Sequence, residues 1–171
     1  MRHRALIAGI GNIFLGDDGF GVEVANRLAA EGVPDWVRVA DFGIRGIHLA
    51  YEMLDGAYEL TVFVDATARG GAAGTVYLIE PDLDGAGAGG SSDAHSMTPD
   101  ALLGTLRALG GVAGRVLVVG CEPRDTDERI GLSGPVSDAV PEAIALVRQV
   151  IEQEAGGGGP CVSQFLDRLP R

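Results

Sequence analysis

Five acids and one histidine are the side chains of this sequence whose types and placement could do chemistry. Asp17 and Asp18 follow the apolar run "RALIAGI" across a glycine-punctuated turn, Asp41 ends "VRVAD" and Asp65 lies near the end of "ELTVFVDAT". Glu122 follows "RVLVVGC", and His95 closes the glycine-rich stretch "DLDGAGAGGSSDAH". If the apolar runs are parallel strands, ligands bind beyond their carboxyl ends, and four strand ends each deliver an acid to the same edge. Like charges gathered there repel and raise one another's pKa values unless a cation or a hydrogen-bond network intervenes. A metal is the simplest resolution. Carboxylates alone suit magnesium or calcium, whereas the His95 imidazole shifts preference toward Zn, Mn, Fe, Co or Ni. Two acids and one histidine leave coordination positions open for substrate or water, although no local ligand motif such as H-E-x-x-H occurs.

Each residue also has a plainer role available. Asp17 or Asp18 could cap the following helix, Asp41 could cap the helix after "FGIRG", Asp65 could form an Asx-turn, and Glu122 before Pro123 could simply close a strand edge. His3 and His48 read as solvated side chains. The pair Gly9 and Gly11 has the start of the dinucleotide fingerprint G-x-G-x-x-G, but Phe14 holds the third glycine's place and two carboxylates follow where a phosphate needs backbone N–H groups. That loop suits a cation better than a phosphate. No G-x-S-x-G elbow is present, and Cys121 lies inside an apolar strand, where a thiol is usually inert packing.

The elements that must position these residues alternate. "RALIAGI", "VRVAD" and "ELTVFVDAT" read as strands, separated by helices over residues 19–30 and 46–54. Phe20, Val24 and Leu28 in the first helix, and Ile47, Ala50 and Leu54 in the second, recur at the helical period and give each helix one apolar face. Strands this apolar are buried on both sides, as parallel strands are. "GTVYLIE" follows the tight "ARGGAAG" turn as a candidate antiparallel neighbour of "ELTVFVD". A helix starts with Thr98 as N-cap and Pro99 at its first position. "RVLVVGCEP" is the last strand and residues 134–155 the last helix, whose regular part Pro141 either starts or kinks. The expected fold is α/β, a single-domain three-layer sandwich: a twisted, mostly parallel sheet of about five strands with helices on both faces. The domain spans residues 1–155. A Gly-rich linker and mobile tail are expected over 156–171, and a flexible loop before His95.

Composition narrows the function. The 171 residues, 46% of them apolar, suit one globular domain. A formal charge of −11 argues against nucleic-acid or anionic-membrane partners, since both require clustered basic residues. Every basic residue is a scattered Arg, with no Lys. Neither a signal peptide nor an apolar run of spanning length is visible, so a cytoplasmic protein is expected. Cys121 and Cys161 alone make neither a disulfide framework nor a thiolate zinc site.

The sequence resembles the nickel-iron hydrogenase maturation endopeptidases. "LIAGIGNIFLGDDGFGVEV" is similar to their N-terminal signature and "VFVDAT" to their central V-D-A segment. "DAHSMTPDALL" resembles their histidine segment, and "VGCEPRD" with "GLSGPVSDAV" their late block. The matches are in order and span most of residues 4–148. The resemblance implies a cytoplasmic protease that removes a short C-terminal extension from the precursor of a hydrogenase large subunit after nickel insertion; a monomer is expected. It carries the family's metal-contacting residues onto Asp18, Asp65 and His95, and a further acid onto Asp41. The implied nickel is carried by the substrate, and a surrogate divalent metal could occupy the isolated protein. Where the family commonly shows D-x-G-T-x-G, this chain reads "DFGIRG", with Ile44 in place of the hydroxyl. Two rivals predict different behaviour: a nickel-sensing or chaperone module that binds the large subunit without cutting, and a nucleotide-binding α/β domain built on G-x-G.

Overall fold

The computed structural model describes residues 4–83 and 98–157. Strands β1 (Ala5–Ile10), β2 (Val37–Gly43), β3 (Leu60–Ala66), β4 (Val76–Ile79) and β5 (Arg115–Cys121) alternate with helices except that β4 directly follows β3. These are α1 (Phe20–Glu31), α2 (Gly46–Gly56), α3 (Pro99–Ala108) and α4 (Gly134–Ala155), and a 3-10 turn, Gly16–Gly19, precedes α1. One five-stranded sheet forms in the order β2-β1-β3-β5-β4, parallel except for β4.

Alternation along β1 divides the interior into two cores. Ala5 and Ile7 point to one face and pack with Phe20, Val24 and Leu28 of α1 and with Val140, Ala143 and Val147 of α4. Leu6, Ala8 and Ile10 point to the other, joining Leu49 and Met53 of α2 and Leu102, Leu103 and Leu106 of α3. The period-two reversal of side chains makes one apolar strand serve both layers. The expected three-layer sandwich is therefore the fold observed. No helix among the described residues is long and apolar enough to cross a membrane.

Two expectations need correction, and of the two roles open to Pro141 one falls away. β4 is antiparallel, but its partner is β5. β1 and β5 already occupy both edges of β3, so the chain crosses the end of β5, where Thr67 N–H donates to the Cys121 carbonyl (2.8 Å), and returns along the free edge. In α2 the buried face is Leu49, Ala50 and Met53, while Ile47 is 50% exposed. α4 does not begin its regular part at Pro141; it runs from an N-cap at Ser133 through Pro141 to Ala155. At α3, Thr98 Oγ1 accepts from Ala101 N–H (3.3 Å) with Pro99 behind it, as the sequence predicts. The glycine-rich loop and the tail lie outside the described residues, apart from Gly156 and Gly157.

Candidate active site at the carboxyl edge of the sheet

The glycines that suggest a phosphate loop are occupied by the chain itself. A Cβ on Gly11, whose φ is +128°, would lie 1.9 Å from the Asp18 carbonyl oxygen, and one on Gly9 would lie 2.4 Å from that of Gly21. A Cβ on Gly21 would in turn lie 1.9 Å from the Val64 oxygen and 2.5 Å from the Ile10 oxygen. Absent side chains thus let the start of α1 press onto the ends of β1 and β3, a steric need met only by glycine. This close packing brings the turn carrying Asp18 against the strand that carries Asp65.

Asp18 Oδ2 accepts the Asn12 N–H at 2.7 Å, and Asn12 Oδ1 accepts the Phe14 N–H at 2.9 Å, so the turn holds the carboxylate at the end of β1. Asp65, partly buried one strand away, has its pKa pushed up to about 8, first by burial and then by the charge of Asp18, against a hydrogen bond from the Ala66 N–H. Near neutral pH Asp65 therefore keeps its proton beside an acid. That is the electrostatic signature of two carboxylates sharing a site.

Asp41 lies on the other side of β1, its Cα in register with Gly9, which is itself in register with Val64. Its Oδ1 is buried without a hydrogen-bond partner. A Cβ on Gly43 would lie 3.6 Å from that oxygen and 3.8 Å from the Gly11 carbonyl, so Asp41 borders the same glycine as Asp18. Arg45 leaves the carboxylate alone: its guanidinium donates to the backbone carbonyls of Asp41 and Phe42. The suggested cap is not made, because the N-cap of α2 is Arg45 and no side chain bonds there.

Two of the acids turn inward. Glu122 accepts the Arg69 N–H (2.8 Å), the Gly70 N–H (3.2 Å) and the Tyr77 hydroxyl (2.8 Å). Burial opposes its ionisation, but these donors hold it below the usual carboxylate range. Glu122 thus closes the strand edge. Asp17, fully buried, does not cap α1, whose N-cap is Gly19. It accepts the N–H groups of Arg124 (2.8 Å), Asp125 (3.3 Å) and Ser133 (2.6 Å) and the Ser133 hydroxyl (2.8 Å). Burial would raise its pKa, yet those bonds outweigh it and keep the group ionised below its ordinary value. Sequence reasoning missed this role, because the donors lie more than a hundred positions away. Burial pushes the Cys121 thiol up to about 12, so at neutral pH it favours the inert thiol over the thiolate. His48 is exposed on α2. His95 and His3 lie outside the described residues, among which no three metal-ligating side chains converge.

A sequence model of the hydrogenase maturation protease family matches residues 22–150. The chain belongs to that family. It is 34% identical over 145 residues to a protein of Methanocaldococcus jannaschii described as a putative hydrogenase maturation protease, covering 83% of this chain and 92% of the relative. Among solved structures, a hydrogenase 2 maturation peptidase from a Thaumarchaeota archaeon superposes with a TM-score of 0.68 at 30% identity, covering 87% of this chain and 98% of the other. A [NiFe] hydrogenase maturation protease from Thermococcus kodakarensis gives a TM-score of 0.69 at 25% identity over 88% and 94%. The chain is thus a hydrogenase maturation protease, a peptide hydrolase, and the packed glycines at Gly9 and Gly11 mark its fold instead of a nucleotide loop.

Proposed function

We propose that this hydrogenase maturation protease removes the C-terminal extension of a nickel-iron hydrogenase large-subunit precursor, and that Asp18, Asp65 and His95 engage nickel already held by that precursor. The observation that carries this is the Asp18–Asp65 pair, in which burial beside a second carboxylate keeps Asp65 protonated up to about pH 8. Among the described residues no basic side chain forms an ion pair with either acid. A divalent cation arriving with the substrate supplies positive charge and displaces the proton, so a loaded precursor binds and an empty one does not. Two carboxylates and an imidazole are donors that nickel accepts. The metal is therefore cargo of the substrate, where it can polarise the scissile carbonyl or a bound water. Asp41 offers its unpartnered Oδ1 to orient the substrate or to take a proton from the attacking water.

A protein substrate is supported by the surface around the acids. Of the exposed large apolar side chains among the described residues, Ile13, Phe14, Ile44, Ile47 and Ile130 lie on segments leaving the carboxyl ends of β1, β2 and β5. The test is the intact mass of the precursor, with and without nickel, after incubation with the protein. Loss of a C-terminal peptide from the loaded precursor alone is expected, and Asp18→Asn and His95→Ala should slow it at least a hundredfold. Equal cleavage of both precursors would refute the metal check, and a nickel-dependent complex without mass loss would make this chain a binding module.

A further inference from the structure

We propose that Asp17 is the positioning residue of the site, tying the turn that carries Asp18 to the segment between β5 and α4 so that the Asp18 carboxylate is set before substrate arrives. The assignment rests on the roles given to Asp18 and Asp65 above.

Four donors converge on the two oxygens of Asp17. Oδ1 takes the Ser133 N–H, while Oδ2 takes the N–H groups of Arg124 and Asp125 and the Ser133 hydroxyl. Backbone bonds reinforce the clasp: Asp17 N–H to Asp125 O (3.3 Å), Gly16 N–H to Arg129 O (2.8 Å) and Arg129 N–H to Phe14 O (2.9 Å), with Leu15 and Arg129 forming a short parallel bridge. Asp18 is the next residue. Its own N–H donates to Leu15 O (3.1 Å) and its Oδ2 receives the Asn12 N–H, so the carboxylate is fixed on one side by the turn that leaves β1 and on the other by the Asp17 clasp. Ser133 fits this role: it is the N-cap of α4, yet its side chain makes no cap bond there and instead donates to Asp17. Only a carboxylate suits the position, because an amide would turn two N–H groups toward other donors.

The test uses the full chain with Asp17→Asn, Ser133→Ala and Ser133→Thr. The Asn12 amide, observed by 1H–15N NMR, reports the Asp18 carboxylate it donates to, and kcat and KM are measured with nickel-loaded precursor. Ser133→Ala removes one bond of the four and keeps the fold; its Asn12 amide should shift upfield and kcat should fall three- to tenfold with KM within twofold. Asp17→Asn should move both further in the same direction, and Ser133→Thr, which retains the hydroxyl, should restore them. An Asn12 amide unmoved in Ser133→Ala, or a lower melting temperature with parental kcat, would overturn the proposal and leave Asp17 a brace. Should the parent protein cleave no precursor, the proposed function fails while the amide still decides the positioning.

Discussion

At the scale of single residues, the two neighbours Asp17 and Asp18 show how environment divides one chemistry into two jobs. Asp17 is buried among donors and stays ionised, whereas Asp18 stands against Asp65, which is short of donors and stays protonated. This has a cost that can be measured. Asp65 has a folded pKa of about 8 and an ordinary value of 3.8 when unfolded, so the folded state binds the extra proton between those limits. Its contribution to stability is fully present below about pH 4 and is lost as pH rises through 8. Asp65→Asn carries no such proton and should raise stability of the metal-free protein at pH 8 by up to about 5 kcal/mol, at about 1.4 kcal/mol for each unit between the two values, a gain of up to roughly 10–20 °C in melting temperature. At pH 4 the gain should vanish. Thermal melts of parent and variant across that range check it, and a pH-independent difference would mean that Asp65 is not held protonated.

At the scale of elements, the site exists because α1 can approach the sheet more closely than side chains would allow. Gly21→Ala sets a methyl group 1.9 Å from the Val64 carbonyl oxygen and 2.5 Å from that of Ile10. Both obstacles are backbone, so the helix itself must lift. The expected loss is about 3 kcal/mol, at the upper end for overpacking, with cleavage falling as well because Asp18 and Asp65 flank that contact. Gly104→Ala, on an exposed helical position with nothing within 4 Å, should instead stabilise by about 0.5–1 kcal/mol. Denaturant titrations distinguish the two. The strands and helices were legible in the sequence because apolar period two and period 3.6 survive in it, and the strand-end rule brought Asp18, Asp41 and Asp65 to one edge. The partner of β4 was not, since a short strand takes whichever edge is free and no local pattern says that β3 has none. In α2 the apolar sets Ile47, Ala50, Leu54 and Leu49, Ala50, Met53 both fit a helix, and only packing in the core shared with the sheet and α3 chose between them. The donors to Asp17 were invisible for a related reason: sequence spacing carries no signal for contacts made 107 to 116 residues apart.

At the scale of the whole molecule, apolar exposure is unevenly placed on a strongly acidic protein. Phe14 is 60% exposed and Ile130 is 74% exposed; the Arg129 N–H bond to the Phe14 carbonyl makes them neighbours at the rim of the acids. Val112, 89% exposed, lies before β5 at the opposite edge. Water does not favour such side chains, and the fold gains little from them. If a precursor covers the rim, burying one large side chain contributes about 1.5–3 kcal/mol to the complex, so truncating it acts on association and not on folding. Phe14→Ser and Ile130→Ser should each raise KM for the loaded precursor by roughly five- to tenfold, about 1–1.4 kcal/mol, while melting temperature and kcat stay near those of the parent. Val112→Ser should leave KM unchanged. Steady-state kinetics on the three variants decide the matter: a KM that rises equally at both edges would point to a general loss of solubility or order, and parental KM in the rim variants would confine the substrate to the acids alone.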